Sequence, residues 1–151
     1  MISKKTKYAL KALTGLAAAN SHSGAPVLTS RLAEGQRIPR KFLEQILLEL
    51  KRDGFVKSKM GKKGGYFLAK PAEKIKLGSV IRLFEGPLAP LPCLSKSSYE
   101  RCEECADEAH CGLRLVFREV HENTLNILDN TSLQDMADKS AAQLSAPMYS
   151  I

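Results

Sequence analysis

The sequence predicts a mainly α fold with a single small β-hairpin, and three observations carry that reading. Apolar residues recur at helical spacing in three long segments, starting near Ser3, Pro39 and Leu113. One stretch, Phe55 to Ala69, reads instead as two short strands around a glycine-rich turn. All four cysteines, Cys93, Cys102, Cys105 and Cys111, lie close together in what reads as one loop.

The first helix is expected from Ser3 to Asn20. Tyr8, Leu10, Leu13, Leu16 and Ala17 share one side of a 3.6-residue period, and Asn-Ser-His-Ser-Gly ends it. Its basic start resembles an export signal, but Lys11 interrupts the apolar run, and no stretch approaches the roughly 18 apolar residues of a membrane span. A cytoplasmic location without membrane contact is expected, where thiols stay reduced and a disulfide framework is not. After Gly24, Thr29 or Ser30 can cap a short helix that runs to Glu34 and stops at Gly35. Pro39 suits the first turn of the next helix. Phe42, Leu43, Ile46, Leu47 and Leu50 follow at helical spacing, and the helix ends near Asp53 with Gly54 as its C′ residue. Two helices around a four-residue corner form a helix-turn-helix.

The hairpin turns this unit into a winged one. Phe55 to Lys59 goes out, Gly61-Lys62-Lys63-Gly64-Gly65 turns, Tyr66 to Ala69 returns and Pro71 ends the pairing. Residues 1–86 hold 18 Lys+Arg against 6 Asp+Glu, a balance of +12, whereas residues 87–151 hold 5 against 10, a balance of −5. A basic half built as a winged helix-turn-helix is expected to meet double-stranded DNA. Arg40, Lys41, Glu44 and Gln45 lie in the first turns of the helix suited to the major groove, where such side chains can read base edges. Lys57, Lys59, Lys62 and Lys63 stand on or beside the wing, within reach of phosphates.

The cysteine spacing, Cys-x8-Cys-x2-Cys-x5-Cys, gathers soft ligands. Four thiolates satisfy a 2Fe-2S or 4Fe-4S cluster, and equally a tetrahedral zinc. Iron–sulfur is preferred over zinc. Glu100, Glu103, Glu104, Asp107 and Glu108 make the loop acidic, so ligation should organise it. An enzyme is not expected. The histidines at 22, 110 and 121 stand in unrelated contexts, and Gly61-Lys-Lys-Gly-Gly lacks the spacing of a nucleotide loop. No small-molecule substrate is foreseen.

Beyond the loop, Leu113, Val116, Phe117, Val120, Leu125, Ile127 and Leu128 make a helix of about 18 residues too apolar to stand alone. Val116, Phe117, Val120 and Ile127 are the expected homodimer contacts, and a twofold dimer suits a palindromic operator. Thr131 and Gln134 have capping-box spacing for a short last helix. The expected organisation is a winged helix-turn-helix domain at 1–86, a cysteine loop at 87–111, a dimerisation helix with a short terminal helix at 112–139, and a mobile tail at 140–151.

Three runs then carry a family resemblance: Phe42-Leu43-Glu44-Gln45-Ile46-Leu47, Leu50 to Ser58, and Gly64-Gly65-Tyr66-Phe67-Leu68-Ala69-Lys70-Pro71. They resemble the Rrf-type family of bacterial winged-helix regulators, the IscR- and NsrR-like proteins. Ile75 to Arg82, Glu85-Gly86-Pro87, Leu113-Arg114 and Thr131 to Asp135 extend the similarity over residues 1–137. The resemblance implies a homodimeric transcription factor whose operator affinity is controlled by an iron–sulfur cluster, in response to iron, redox state or nitric oxide. It implies Cys93, Cys105 and Cys111 as the usual three ligands, with Cys102 a fourth or one that exchanges with Cys105. A histidine that some members carry three residues after the last cysteine is replaced by Arg114, and Tyr8 does not offer the N-terminal carboxylate of others. The alternative is a cluster-free winged-helix regulator or protein-binding adaptor, whose cysteine loop is a zinc staple or a thiol-redox site.

Overall fold

Helix α1, Lys4–Ser23, is the rod on which the other elements assemble. A computed structural model describes residues 2–23 and 25–145, with the side chains of residues 20–23 and 143–145 left aside. Ala9, Ala12, Leu13 and Leu16 of α1 are fully buried, as the helical period requires. They share one core with Leu43, Ile46, Leu47 and Leu50 of α3 (Arg40–Arg52), Val80 of α4 (Leu77–Glu85) and Leu133 of α6 (Leu133–Ser145). Helix α2, Thr29–Gln36, adds Leu32 and Ala33.

The end of α2 differs from expectation. Gly35 lies inside the helix, and the chain turns at Arg37, whose φ of 52° is left-handed. Ile38 explains the choice: it is buried, and its N–H reaches back to the Ala33 carbonyl at 2.9 Å while Arg37 N–H bonds Glu34 at 3.1 Å. Anchoring Ile38 in the core offsets the roughly 1–2 kcal/mol that a non-glycine residue loses in this conformation. Helix α3 ends as expected. Gly54 has φ +74°, its N–H bonds Lys51, and Phe55 N–H bonds Leu50 at 2.8 Å, a Schellman closure.

The hairpin pairs β1 (Val56–Lys59) with β2 (Gly65–Leu68), Val56 opposite Leu68 and Lys59 opposite Gly65. Val27 joins its edge by exchanging main-chain hydrogen bonds with Tyr66 at 2.8 and 2.9 Å. Gly65 permits this approach: a Cβ there would lie 2.2 Å from the Val27 carbonyl oxygen, and its φ is +135°. A 3-10 turn, Ala72–Lys74, leads to α4.

Helix α5, Gly112–Asn130, is the long apolar helix the sequence predicts. The segment that follows it is tied to the entry of α4, since Leu77 N–H bonds Thr131 and Leu133 N–H bonds Ile75 at 2.8 Å. The cap of α6 sits one residue later than expected. Ser132, not Thr131, forms the capping box, with Asp135 rather than Gln134: Ser132 N–H donates to Asp135 Oδ2 at 2.7 Å and Asp135 N–H to Ser132 Oγ at 3.1 Å. The Thr131 hydroxyl turns back to the Ile127 carbonyl. Helix α6 runs to Ser145, so residues 140–145, assigned to the tail from sequence, are helical. Residues 146–151 lie outside the described residues. Among the described residues no helix is long and apolar enough to cross a membrane.

Candidate functional site

The core face of α3 fixes what its other face can present. With Leu43, Ile46, Leu47 and Leu50 buried, Arg40, Lys41, Glu44 and Gln45 are all exposed. Arg40 is not free: its Nε pairs with Glu44 Oε1 at 2.9 Å, one helical turn on. Gln45 borders a small apolar recess with Tyr8, Phe42, Lys4 and Lys5, which places the basic start of α1 beside α3. On the wing, Lys57, Lys59, Lys62 and Lys63 are exposed. Arg31 of α2, which the sequence reading passed over, shares a cleft with Lys62 and Lys63. The docking of the wing on Val27 creates that cluster. Nothing in the local sequence around Arg31 could have announced it.

The loop from Gly86 to Cys111 brings all four cysteines to one cavity of about 350 Å³ beside the first turn of α5. Cys93, in a 3-10 turn at Pro92–Leu94, is buried, Cys105 and Cys111 are half-buried, and Cys102 is exposed. All four are free thiols. Cys102 donates to Glu104 Oε2 at 3.2 Å, and that bond pushes its thiol pKa up. Cys105 is pushed up by burial first, then by its hydrogen bond with Cys111 and by the charges of Cys111, Cys102 and Glu108. Among the described residues no three Cys, His, Asp or Glu side chains converge closely enough to hold an ion. The fold thus collects the sulfurs on one cavity without closing them on a point.

Glu108 and Arg114 also line this cavity. Tyr99 donates to Glu108 Oε1 at 2.6 Å, and Glu108 Oε2 faces Arg114 Nη2 at 3.8 Å. Arg114 lines the cavity from the first turn of α5, and its Nε is buried with no hydrogen-bond partner among the described residues. His110 is exposed and pairs with Asp107, away from the cavity lining. Cys111 is the N-cap of α5, and its side chain makes no cap bond. As a donor set, four sulfurs with no histidine among the lining residues, and an unspent N–H donor beside them, fit a thiolate-held, electron-rich group.

Helix α5 carries two apolar rows. His121 is buried by the chain itself, with Phe117, Leu125 and Leu128 half-buried on its side. Leu113, Val116, Val120 and Ile127 form the other row and are 50 to 63% exposed. Phe117, grouped with the seam from sequence, therefore lies on the inward row.

Comparison with known proteins bears on this arrangement. The family model described as "Rrf2: Iron-dependent Transcriptional regulator" matches residues 2–139. The chain belongs to the Rrf2 family. It is 44% identical over 147 residues to a putative HTH-type transcriptional regulator, rrf2-like, of Rhodobacter capsulatus, covering 95% of this chain and 98% of the relative. Among solved structures, CymR, the global cysteine regulator of B. subtilis, is similar with TM-score 0.75 and 29% identity, covering 92% of this chain and 97% of that one. T. potens IscR has TM-score 0.73 and 28% identity, covering 99% and 94%. This Rrf2 protein is a winged-helix transcriptional regulator and not an enzyme.

Proposed function

We propose that this Rrf2 regulator binds a palindromic operator as a homodimer and that an iron–sulfur cluster held by Cys93, Cys105 and Cys111, with Cys102 as fourth or exchanging ligand, controls its affinity. The observation that carries this reading is that every cysteine of the chain lines one cavity at the start of α5. When bound, such a group supplies a centre whose charge and integrity respond to iron, redox state or nitric oxide. The chain's own residues do the rest. Cys93 offers a buried donor, Cys111 couples ligation to the first turn of α5, and the exposed row of α5 offers a seam for a second subunit. Arg40, Lys41, Glu44 and Gln45 are placed to read bases, and Lys57, Lys59, Lys62, Lys63 and Arg31 to contact phosphates. The location fitting this role is cytoplasmic.

Ligation can alter operator affinity only by favouring one arrangement of loop and helix over another. Anaerobically purified protein should contain iron and sulfide rather than zinc, and holo and apo protein should differ about 5- to 150-fold at one operator. Cys93→Ala, Cys105→Ala and Cys111→Ala should each lose the metal and lock the apo affinity. Equal affinities throughout would remove the sensor from the proposal.

One observation favours a second reading. Cys105 and Cys111 line the same cavity as half-buried free thiols, a pair an oxidant could join without metal. Metal-free protein whose operator affinity changes on Cys105–Cys111 disulfide formation would establish that reading instead.

A further inference from the structure

The cysteine cavity contains a donor that the protein does not use. Arg114 stands in the first turn of α5 with its side chain largely covered, and its buried Nε–H has no acceptor among the described residues. A guanidinium cannot shed its proton, so this N–H cannot become silent by deprotonation. An unpaired buried donor on a charged group is costly and calls for an explanation. The nearby carboxylates do not provide one. Glu108 accepts from Tyr99 and faces the other arm of the guanidinium, at Nη2, while Glu104 accepts from the Cys102 thiol. Glu100 and Glu103 line the same cavity but make no ion pair or hydrogen bond with Arg114 among the described residues, and the other electron-rich groups on its wall are the four cysteine sulfurs.

We infer that Arg114 donates its Nε–H to a sulfur of the group held by the cysteines, and that this bond raises the group's reduction potential. The inference rests on the cluster reading above. A positive donor to a cluster sulfur stabilises the reduced, more negative state over the oxidised one. Glu108, itself held by Tyr99, is the positioning residue that sets the guanidinium. Arg114 ligates nothing in this arrangement. It tunes how readily the centre changes state.

The test uses the full-length protein reconstituted anaerobically with iron and sulfide, as wild type, Arg114→Lys, Arg114→Met and Glu108→Gln. Iron and sulfide content, midpoint potential and the resonance Raman bands of the iron–cysteine bonds are measured on each. Arg114→Met should keep the cluster and lower the ratio of reduced to oxidised centre on the order of 10-fold at fixed ambient potential, about 59 mV for a one-electron couple. Arg114→Lys, which keeps charge but loses the planar fork, should shift less in the same direction, and Glu108→Gln, which removes a negative charge from the cavity wall as well as the guanidinium's support, should alter the iron–cysteine Raman bands. Should Arg114→Met fail to fold or to load, the other two variants decide. Full loading with unchanged potentials and spectra in the variants that load would overturn the inference and leave the cluster reading standing. Wild-type protein that takes up neither iron nor sulfide would overturn both.

Discussion

Arg82 and Asp129 meet through two parallel hydrogen bonds, Nη1 to Oδ1 at 2.6 Å and Nη2 to Oδ2 at 2.8 Å, and so hold the far end of α5 to α4. Gly78 lies beneath them: a Cβ there would sit 2.0 Å from Asp129 Oδ1 and 3.0 Å from Arg82 Nη1. Both partners are partly exposed, so the paired geometry is worth about 1 kcal/mol despite its quality. Asp129→Ala should lose about that much. Gly78→Ala should destabilise the wild type by displacing the pair, yet stabilise an Asp129→Ala background by about 0.4–1 kcal/mol through lost unfolded-state freedom. Denaturant unfolding of the four proteins measures the change of sign.

Glu85, at the other end of α4, accepts from the Ser3 N–H at 2.8 Å and from the Thr6 hydroxyl at the start of α1. Hydrogen bonds from Ser3 and Thr6 lower its carboxyl from the ordinary 4.5 to about 2. A carboxylate depressed on folding contributes stability that is fully present above its unfolded value and lost as pH falls through the folded one. Glu85→Gln should therefore flatten the decline in stability between about pH 4.5 and pH 2 while changing little of its pH dependence at neutrality. An unchanged acid limb in melts across that range would show that the cap does not titrate with folding.

Ser132 is buried and serves both halves of the α6 capping box. Ser132→Ala should cost about 1 kcal/mol, and Asp135→Ala should add less in the double mutant than alone, because each removes the same reciprocal pair. Thermal unfolding of single and double mutants checks this.

Val116 and Val120 are 61% and 50% exposed on α5. Val116→Asp and Val120→Asp should accordingly leave the fold of the single chain intact, since the new carboxylates remain solvated there, but prevent a second chain from covering them. Sedimentation should report monomers with wild-type circular dichroism and much weakened operator binding. An intact dimer would place the seam elsewhere.

Lys62 and Lys63 share their cleft with Arg31. Removing one lysine–phosphate interaction should reduce the slope of log affinity against log salt by about 0.9, so Lys62→Ala with Lys63→Ala should flatten it by nearly 2, and Arg31→Ala should do so further. Arg40→Ala should additionally relax base preference. Fluorescence titrations at several salt concentrations, on specific and scrambled duplexes, separate the two effects.

The parts of the fold that follow from period and turn chemistry could be read from sequence. The α3 stripe from Leu43 to Leu50, its Gly54 stop and the hairpin all depend on neighbours a few residues away. The parts that depend on distant partners could not. Gly35 looked like the better helix stop, but burial of Ile38 in a core built by α1 and α3 moved the turn to Arg37. Thr131 and Ser132 can both cap, and the bond from Leu133 to Ile75, at the distant entry of α4, favours the second. The cysteines declared the cavity by their spacing, whereas Glu108, held by Tyr99, and Arg114 join it only through the path of an aperiodic loop. Arg31 meets the wing for the same reason.

The exchange of hydrogen bonds between Val27 and Tyr66, with Gly65 too tightly placed to admit a side chain, has a consequence for how such a regulator can be switched. The hairpin is welded to the segment that enters α2, so its tilt is fixed by the same contacts that orient the helix-turn-helix. Reading head and wing behave as one stiff tool. In the proposed sensor, ligation at the cysteine loop would then act by shifting this unit as a whole rather than by adjusting the wing alone. In the proposed homodimer, the separation and rotational phase of the two half-sites on the duplex would be the geometric quantities left for regulation to act on.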